Sequence, residues 1–256
     1  MAGLELNLQR VMIFGAHPDD EIIGPGGIIH KFASQGVETY AVIFTDGGTT
    51  ANSIGEMPHM IQIRKDEMKE SGEILGIKKR ELLQIPCQHI FQAHHGGEMV
   101  YDLESDNHKL TLHQKLIKLI RAYKPDLIFT HSLDNHRDHC AIAEATPHAV
   151  FQSAEDLLGH LGKPWSTPLL LYYSVEQELM GDFSPNIILQ IEEENLEAKL
   201  RAMKTQVSQT RTDGYLEHHI GMIKSRASLW GAKYFGHNAY AEPFHLRPSY
   251  PCRIAI

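Results

Sequence analysis

Short runs of aliphatic and β-branched residues alternate with segments of helical period along most of the chain, and nothing else in the sequence restricts the fold as much. "RVMIFGA", "ETYAVIFT", "ELLQIP" and "DLIFTH" read as the first four strands, with "PLLLYYSV" and "NIILQI" further on. Strands this uniformly apolar must be covered on both faces, and helices between successive strands supply the cover. The expected fold is α/β: a Rossmann-like, doubly wound, mostly parallel sheet with helices on both faces. With 256 residues, 42% of them hydrophobic, there is material for one sizeable core, so residues 1–256 are expected to form a single domain.

The helices are placed by period and by their stop signals. "GPGGIIHKFASQG" ends at Gly36, and "IQIRKDEMKESGEILGI" carries a partial apolar stripe of Ile63, Met68, Ile74 and Leu75. "TLHQKLIKLIRAYKP" puts Leu112, Leu116, Leu119 and Ile120 on one face and stops at Pro125. The run from Cys140 to Gly159 is expected to kink or break at Pro147. Two charged helices are expected over Glu192–Gln206 and from about His218 to Tyr234, followed by an irregular "AEPFHLRPSYPC". Residues 87–109 show little periodicity and are expected to form a lid, while residues 45–59, rich in Gly, Thr and Asn, are expected to help shape a pocket.

A formal net charge of -8 argues against a nucleic-acid partner, which would demand a Lys/Arg surplus, and against a polybasic membrane anchor. The first twenty residues lack a basic segment, and their apolar run soon meets charge, so neither a signal peptide nor a membrane span is expected. A cytoplasmic protein with a small-molecule partner follows as the expectation; a homo-oligomer is compatible with the sequence, which does not fix the oligomeric state. Cys87, Cys140 and Cys252 are odd in number and widely spaced, and are expected to be reduced and mostly buried. Histidine is abundant, with 17 copies, which directs attention to metal or acid–base chemistry.

In a doubly wound sheet, ligands bind beyond the carboxyl ends of the strands where the strand order reverses. An order of 3-2-1-4-5 would make the first and fourth strands neighbours at that point. Both exits carry polar clusters: "HPDDE" after the first and "THSLDNHRDH" after the fourth. Alone, each reads first as a solvated turn and helix cap. Together, the i, i+3 pairs His17/Asp20 and His136/His139 offer two imidazoles and a carboxylate, the donor set of a hydrolytic zinc site. A cation would also offset the repulsion among Asp19, Asp20 and Glu21. Surplus carboxylates are candidates for a general base, and Asp138 is a candidate for orienting a histidine through its second ring nitrogen. Gly24, Gly26 and Gly27 lack the dinucleotide fingerprint and stand beside acids that would repel phosphate, so close helix packing is their expected role. His94–His95 and His218–His219 are expected at the surface.

"AHPDDE", Arg64 with Glu67, "KPDLIFTH", "DNHRDH" and "AEPF", in this order, resemble the LmbE-like (PIG-L) family of zinc-dependent N-deacetylases. The resemblance implies that His17, Asp20 and His139 bind Zn2+ or another divalent ion, and that Asp19 is the general base. It further implies that His136 stabilises an oxyanion or protonates the leaving amine, that Asp138 fixes the tautomer of His136, and that Arg64 binds substrate. The implied substrate is an N-acetylglucosamine-type amino-sugar conjugate. Two departures stand out: Arg137 where many relatives carry proline, and Gln206 where a C-terminal family stretch often carries histidine. The rival readings are an amidase of the same fold that cleaves a larger acyl group, and a non-catalytic nucleotide-binding or regulatory protein.

Overall fold

A computed structural model describes residues 7–51, 53–96, 99–101, 109–175, 183–209 and 214–246. Its main sheet has seven strands: β1 (Arg10–Gly15), β2 (Glu38–Thr45), β3 (Lys79–Ile85), β6 (Leu127–His131), β7 (Leu169–Tyr173), β8 (Ile187–Ile191) and β9 (Tyr240–Leu246). Their order is β3-β2-β1-β6-β7-β9-β8. The first five in that order run parallel, as the expected 3-2-1-4-5 requires, and β9 pairs antiparallel with both β7 and β8. The apolar "AEPF" stretch, expected to be irregular, is therefore strand. Phe244 packs against Phe129 in the core, and the backbone of this stretch pairs with β8, while the next residues, His245 and Leu246, pair with β7.

Period two along β1 builds the two apolar layers. Met12 and Phe14 face a cluster with Val42, Phe44, Leu116 and Ile142, while Val11 and Ile13 face Ile28, Ile29, Leu196 and Met203. Helices α4 (Ile90–His95), α5 (Leu112–Tyr123) and α6 (Arg137–Ser153) cover the first face; α1 (Asp20–Ile23), α2 (Gly26–Ser34), α7 (Glu193–Lys204) and α8 (Tyr215–Tyr234) cover the second. The long helix α3 (Met57–Leu75) packs beside α7, and β4 (Met99–Tyr101) pairs with β5 (Lys109–Thr111) in a separate hairpin. Helix α5 starts at a capping box of Thr111 and Gln114, and its expected apolar face is buried.

Helix α6 runs through Pro147 and stops at Ser153, without the expected break at the proline. Arg121 receives its end. The buried guanidinium donates to the carbonyls of Ser153, Leu158, Gly162, Gln152, Glu155 and Leu157, the last-turn and following groups that no helical donor can reach. Arg121→Leu keeps the stem but strands these acceptors. It is expected to cost at least about 3 kcal/mol, read as a lower urea midpoint at unchanged slope.

The glycines after β1 do serve close packing. A Cβ on Gly24 would stand 2.3 Å from the Tyr173 ring. At the start of α2, Gly27 and Ile28 donate their N–H groups to Glu242 of β9, each at 2.9 Å, where a phosphate-binding loop would present them to ligand. Lys199 of α7 neutralises Glu242 at 2.6 Å.

The expected lid resolves differently in its described part. Ile90 and Ala93 of α4 are core residues, so this stretch is a packed support; residues 97–98 and 102–108 lie outside the described residues. Within residues 45–59, two short 3-10 turns, Gly48–Thr50 and Ile54–Glu56, lie between the end of β2 and the start of α3, and residue 52 lies outside the described residues. Cys87 is buried and Cys140 half-buried, both free, and Cys252 lies outside the described residues. His219, expected at the surface, is buried, whereas His218 is exposed. No helix among the described residues is long and apolar enough to cross a membrane.

Candidate active site

The exits of β1 and β6 meet because those strands are hydrogen-bonded neighbours. After β1 the chain turns sharply, with the N–H of Asp19 donating to the carbonyl of His17 at 2.9 Å, before α1 begins at Asp20. After β6 a short loop leads to His136, the N-cap of α6. The two turns bring three donor atoms to the corners of a nearly equilateral triangle. His17 Nδ1 lies 3.4 Å from Asp20 Oδ2, His139 Nε2 lies 3.6 Å from the same oxygen, and the two nitrogens are 3.3 Å apart. Donors set tetrahedrally at about 2.0–2.1 Å around zinc stand about 3.4 Å from one another, so this triangle has the size of three corners of such a site.

The atoms behind the triangle fit the same task. His139 offers Nε2 because its Nδ1–H is held by Asp134 Oδ2 at 2.6 Å. His17 offers Nδ1 because its Nε2 lies 3.3 Å from Asp138 Oδ2. Each imidazole thus has a carboxylate behind it, an arrangement that fixes tautomer and ring direction and raises donor strength. Asp138 is aimed in turn by the N–H groups of Gln88, at 2.6 Å, and Ile90. His17 and His139 are both held above the ordinary histidine range. Burial alone would lower them, but the carboxylates Asp138, Asp20 and Asp134 outweigh it, taking His139 up to about 9. Asp20 is held well below the carboxylate range, its own burial being overcome by His139 and His131. The cluster therefore attracts positive charge strongly.

The three consecutive acids do three different jobs. Asp20 joins the triangle. Glu21 is fully buried, where Arg80 donates to its Oε1 at 2.7 Å. Asp19 sits at φ 154, a conformation costly for a residue with a Cβ, and is locked there from several sides. Arg64 donates to the carbonyl of Pro18 and, at 3.3 Å, to Asp19 Oδ2, the oxygen that also accepts from Gln209 Nε2 at 2.6 Å. Burial pushes Asp19 up to about 6, the Arg64 charge offsetting part of the rise. Gly47, at φ +71, lets its loop lie against this lock, since a Cβ there would meet Pro18 and Arg64 at 3.0–3.3 Å.

Residues 12–150 match the family model described as PIG-L, GlcNAc-PI de-N-acetylase. The chain belongs to the PIG-L family. Among its relatives is the diacetylchitobiose deacetylase of Thermococcus kodakarensis, 27% identical over 94% of this chain and 84% of that protein. The solved N,N'-diacetylchitobiose deacetylase of Pyrococcus horikoshii superposes with a TM-score of 0.73 at 26% identity, covering 94% of this chain and 85% of that one. The 4-carboxy-2-hydroxymuconate hydratase GalB of Pseudomonas putida reaches a TM-score of 0.74 at 18% identity, covering 97% of this chain and 98% of that one. A hydratase on this fold means the fold alone does not name the reaction, and the PIG-L site must do so.

Two site residues stand elsewhere than the resemblance implied. Asp138 turns its carboxylate to His17 and not to His136. It is the backbone N–H of Asp138 that reaches His136 Nδ1, at 3.2 Å, as part of the N-cap of α6. That bond leaves Nδ1 as acceptor and places the ring proton on Nε2. Arg64, expected to bind substrate, has no exposed surface. Its guanidinium is spent on Pro18, Asp19, Glu67, Gln206 and Ser208, so it braces the Asp19 turn. Gln206, which the resemblance had marked as a departure, is a buried partner in that brace.

Several residues of this PIG-L site escaped the sequence reading. Asp134 and His131 lay inside quoted motifs without roles. His131 is buried, with its Nε2 3.2 Å from Asp20 Oδ2 and 3.0 Å from the N–H of Ala16, and its ring stacks on His139 at 4.1 Å. Gln209 and Ser208 carry no local signal, since they reach Asp19 and Glu67 only through the packing of α7 on α3.

Proposed function

We propose that this protein is a zinc-dependent N-deacetylase that removes acetyl from an N-acetylglucosamine-type conjugate. The observation that carries the reading is the triangle of His17 Nδ1, Asp20 Oδ2 and His139 Nε2 with Asp19 and His136 beside it. The family description and the deacetylase relatives support it.

Amides resist water because the nitrogen lone pair is delocalised into the carbonyl. A hydrolase must supply a stronger nucleophile, stabilise the oxyanion and protonate the departing amine. Zinc, when bound by His17, Asp20 and His139, supplies Lewis acidity towards the carbonyl and lowers the pKa of water towards about 7. Asp19 takes the proton from the attacking water. Its buried carboxylate, held near 6, is basic enough to accept a proton and still ionised at neutral pH. Arg64 and Gln209 fix its direction. His136 presents Nε2–H to the developing oxyanion, its ring lying 4.5 Å from that of His17, and the proton that Asp19 took from water passes to the departing amine nitrogen. Asp134 and Asp138 keep His139 and His17 in their binding tautomers.

The test is a screen of N-acetylglucosamine conjugates for released acetate, with metal analysis and chelation of the same preparation. Activity that disappears with chelator and returns with zinc is expected. Purified protein free of divalent metal whose activity ignores chelation would overturn the reading, and faster turnover of bulkier acyl groups would make the protein an amidase. One variant isolates a supporting residue. Asp134→Asn keeps an acceptor for the His136 N–H but turns an N–H towards His139 Nδ1, favouring the wrong tautomer. Zinc affinity is expected to fall about 10- to 100-fold, measured by competition with a chromogenic chelator.

A further inference from the structure

A second cluster of metal-ligating side chains lies outside the site described above. His94 and His95, in the last turn of α4, face Glu144 of α6, and the three offer donor atoms that all lie within 4.8 Å of one another. His95 Nε2 is 3.2 Å from Glu144 Oε2, and the two imidazole rings stand 4.4 Å apart. Two features separate this cluster from an ordinary surface ion pair. His94 Nδ1 is buried with no hydrogen-bond partner among the described residues, a state that costs about 1–3 kcal/mol unless something binds there. The three side chains also line a cavity of about 680 Å³, whose wall includes His148, His245 and Asp134. Asp134 is the carboxylate behind His139, so this cavity opens directly beside the candidate catalytic centre.

We infer that His94, His95 and Glu144 form an auxiliary site for a zinc-class divalent cation on the wall of this cavity. Two imidazoles and a carboxylate repeat the donor set of the main triangle, and that set favours zinc-like ions over calcium or magnesium. Donor separations of no more than 4.8 Å have to close towards about 3.4 Å, which small side-chain rotations achieve because His95 and Glu144 are about half exposed. The same exposure, and the absence of a carboxylate behind either imidazole among the described residues, makes this the weaker of the two sites. An ion held here keeps a face open to the cavity and would meet oxygen-rich ligands that enter it.

The experiment is a titration of tag-free, metal-stripped protein with Co2+, followed by visible absorption and by calorimetry. Two equivalents are expected, one tight and one weaker. His94→Ala and Glu144→Gln should each abolish the weaker equivalent and leave the tight one, while His139→Ala should do the reverse. The Glu144→Gln change is on the surface, so its result does not depend on refolding of the α4 turn. A wild-type chain that binds a single ion which His139→Ala abolishes, or a Glu144→Gln protein that still binds two with unchanged constants, overturns the inference. Retention of the weaker equivalent in a chain that shows no tight one would sink the deacetylase reading and leave this one standing.

Discussion

Asp19→Asn is expected to keep its metal and lose about 10²- to 10⁴-fold in turnover, the usual worth of a positioned general base. The replacement is nearly isosteric, and its amide oxygen can still accept from Gln209 and Arg64, so the strained turn keeps its locks. The donor atoms of His17, Asp20 and His139 are untouched. What disappears is the lone-pair basicity of a buried carboxylate whose proton affinity burial has raised. Acetate release under saturating substrate, measured beside metal content, separates this from a folding or loading defect. Near-normal turnover in a fully loaded variant would remove Asp19 from the role of base.

His139→Ala is expected to lose the metal altogether on dialysis and to reduce activity to background. Removing only the carboxylate behind a ligand costs about 10- to 100-fold in affinity, and removal of the ligand itself should exceed that. The change also strands Asp134, buried beside the ring it holds, so a modest fall in thermal midpoint is expected as well. Metal analysis after dialysis decides the outcome. A fully loaded variant would move the third ligand elsewhere, and the neighbouring imidazoles of His131 and His136 are the places to look.

The strand-forming runs were legible because a parallel strand buried on both faces leaves little room for polar residues, and β1 shows why. Val11 and Ile13 serve one layer, Met12 and Phe14 the other, and the run reads as uninterrupted apolar sequence. The last strand was not legible. "AEPF" has a proline and a buried glutamate within it, features that argue against a strand until Glu242 is seen capping α2 and paired with Lys199. At Pro147, where a kink or a break was expected, the helix is not broken, and α6 continues to Ser153.

The chemistry-bearing residues divide in the same way. His17, Asp20, His136 and His139 announce themselves by residue type and an i, i+3 spacing at two strand exits that one topology makes adjacent. Arg64 and Asp138 were found but their partners were not, because an arginine or aspartate has the same letter whether it faces a substrate or a buried backbone turn. The sequence by itself determined the parallel strands, their switch point and the candidate donor residues gathered there, since these follow from local periodicity and from side-chain chemistry. Only the tertiary structure decided which carboxylate stands behind which imidazole and what braces Asp19. Those pairings join segments far apart along the chain, and a hydrogen bond between distant segments leaves no periodic trace in either of them.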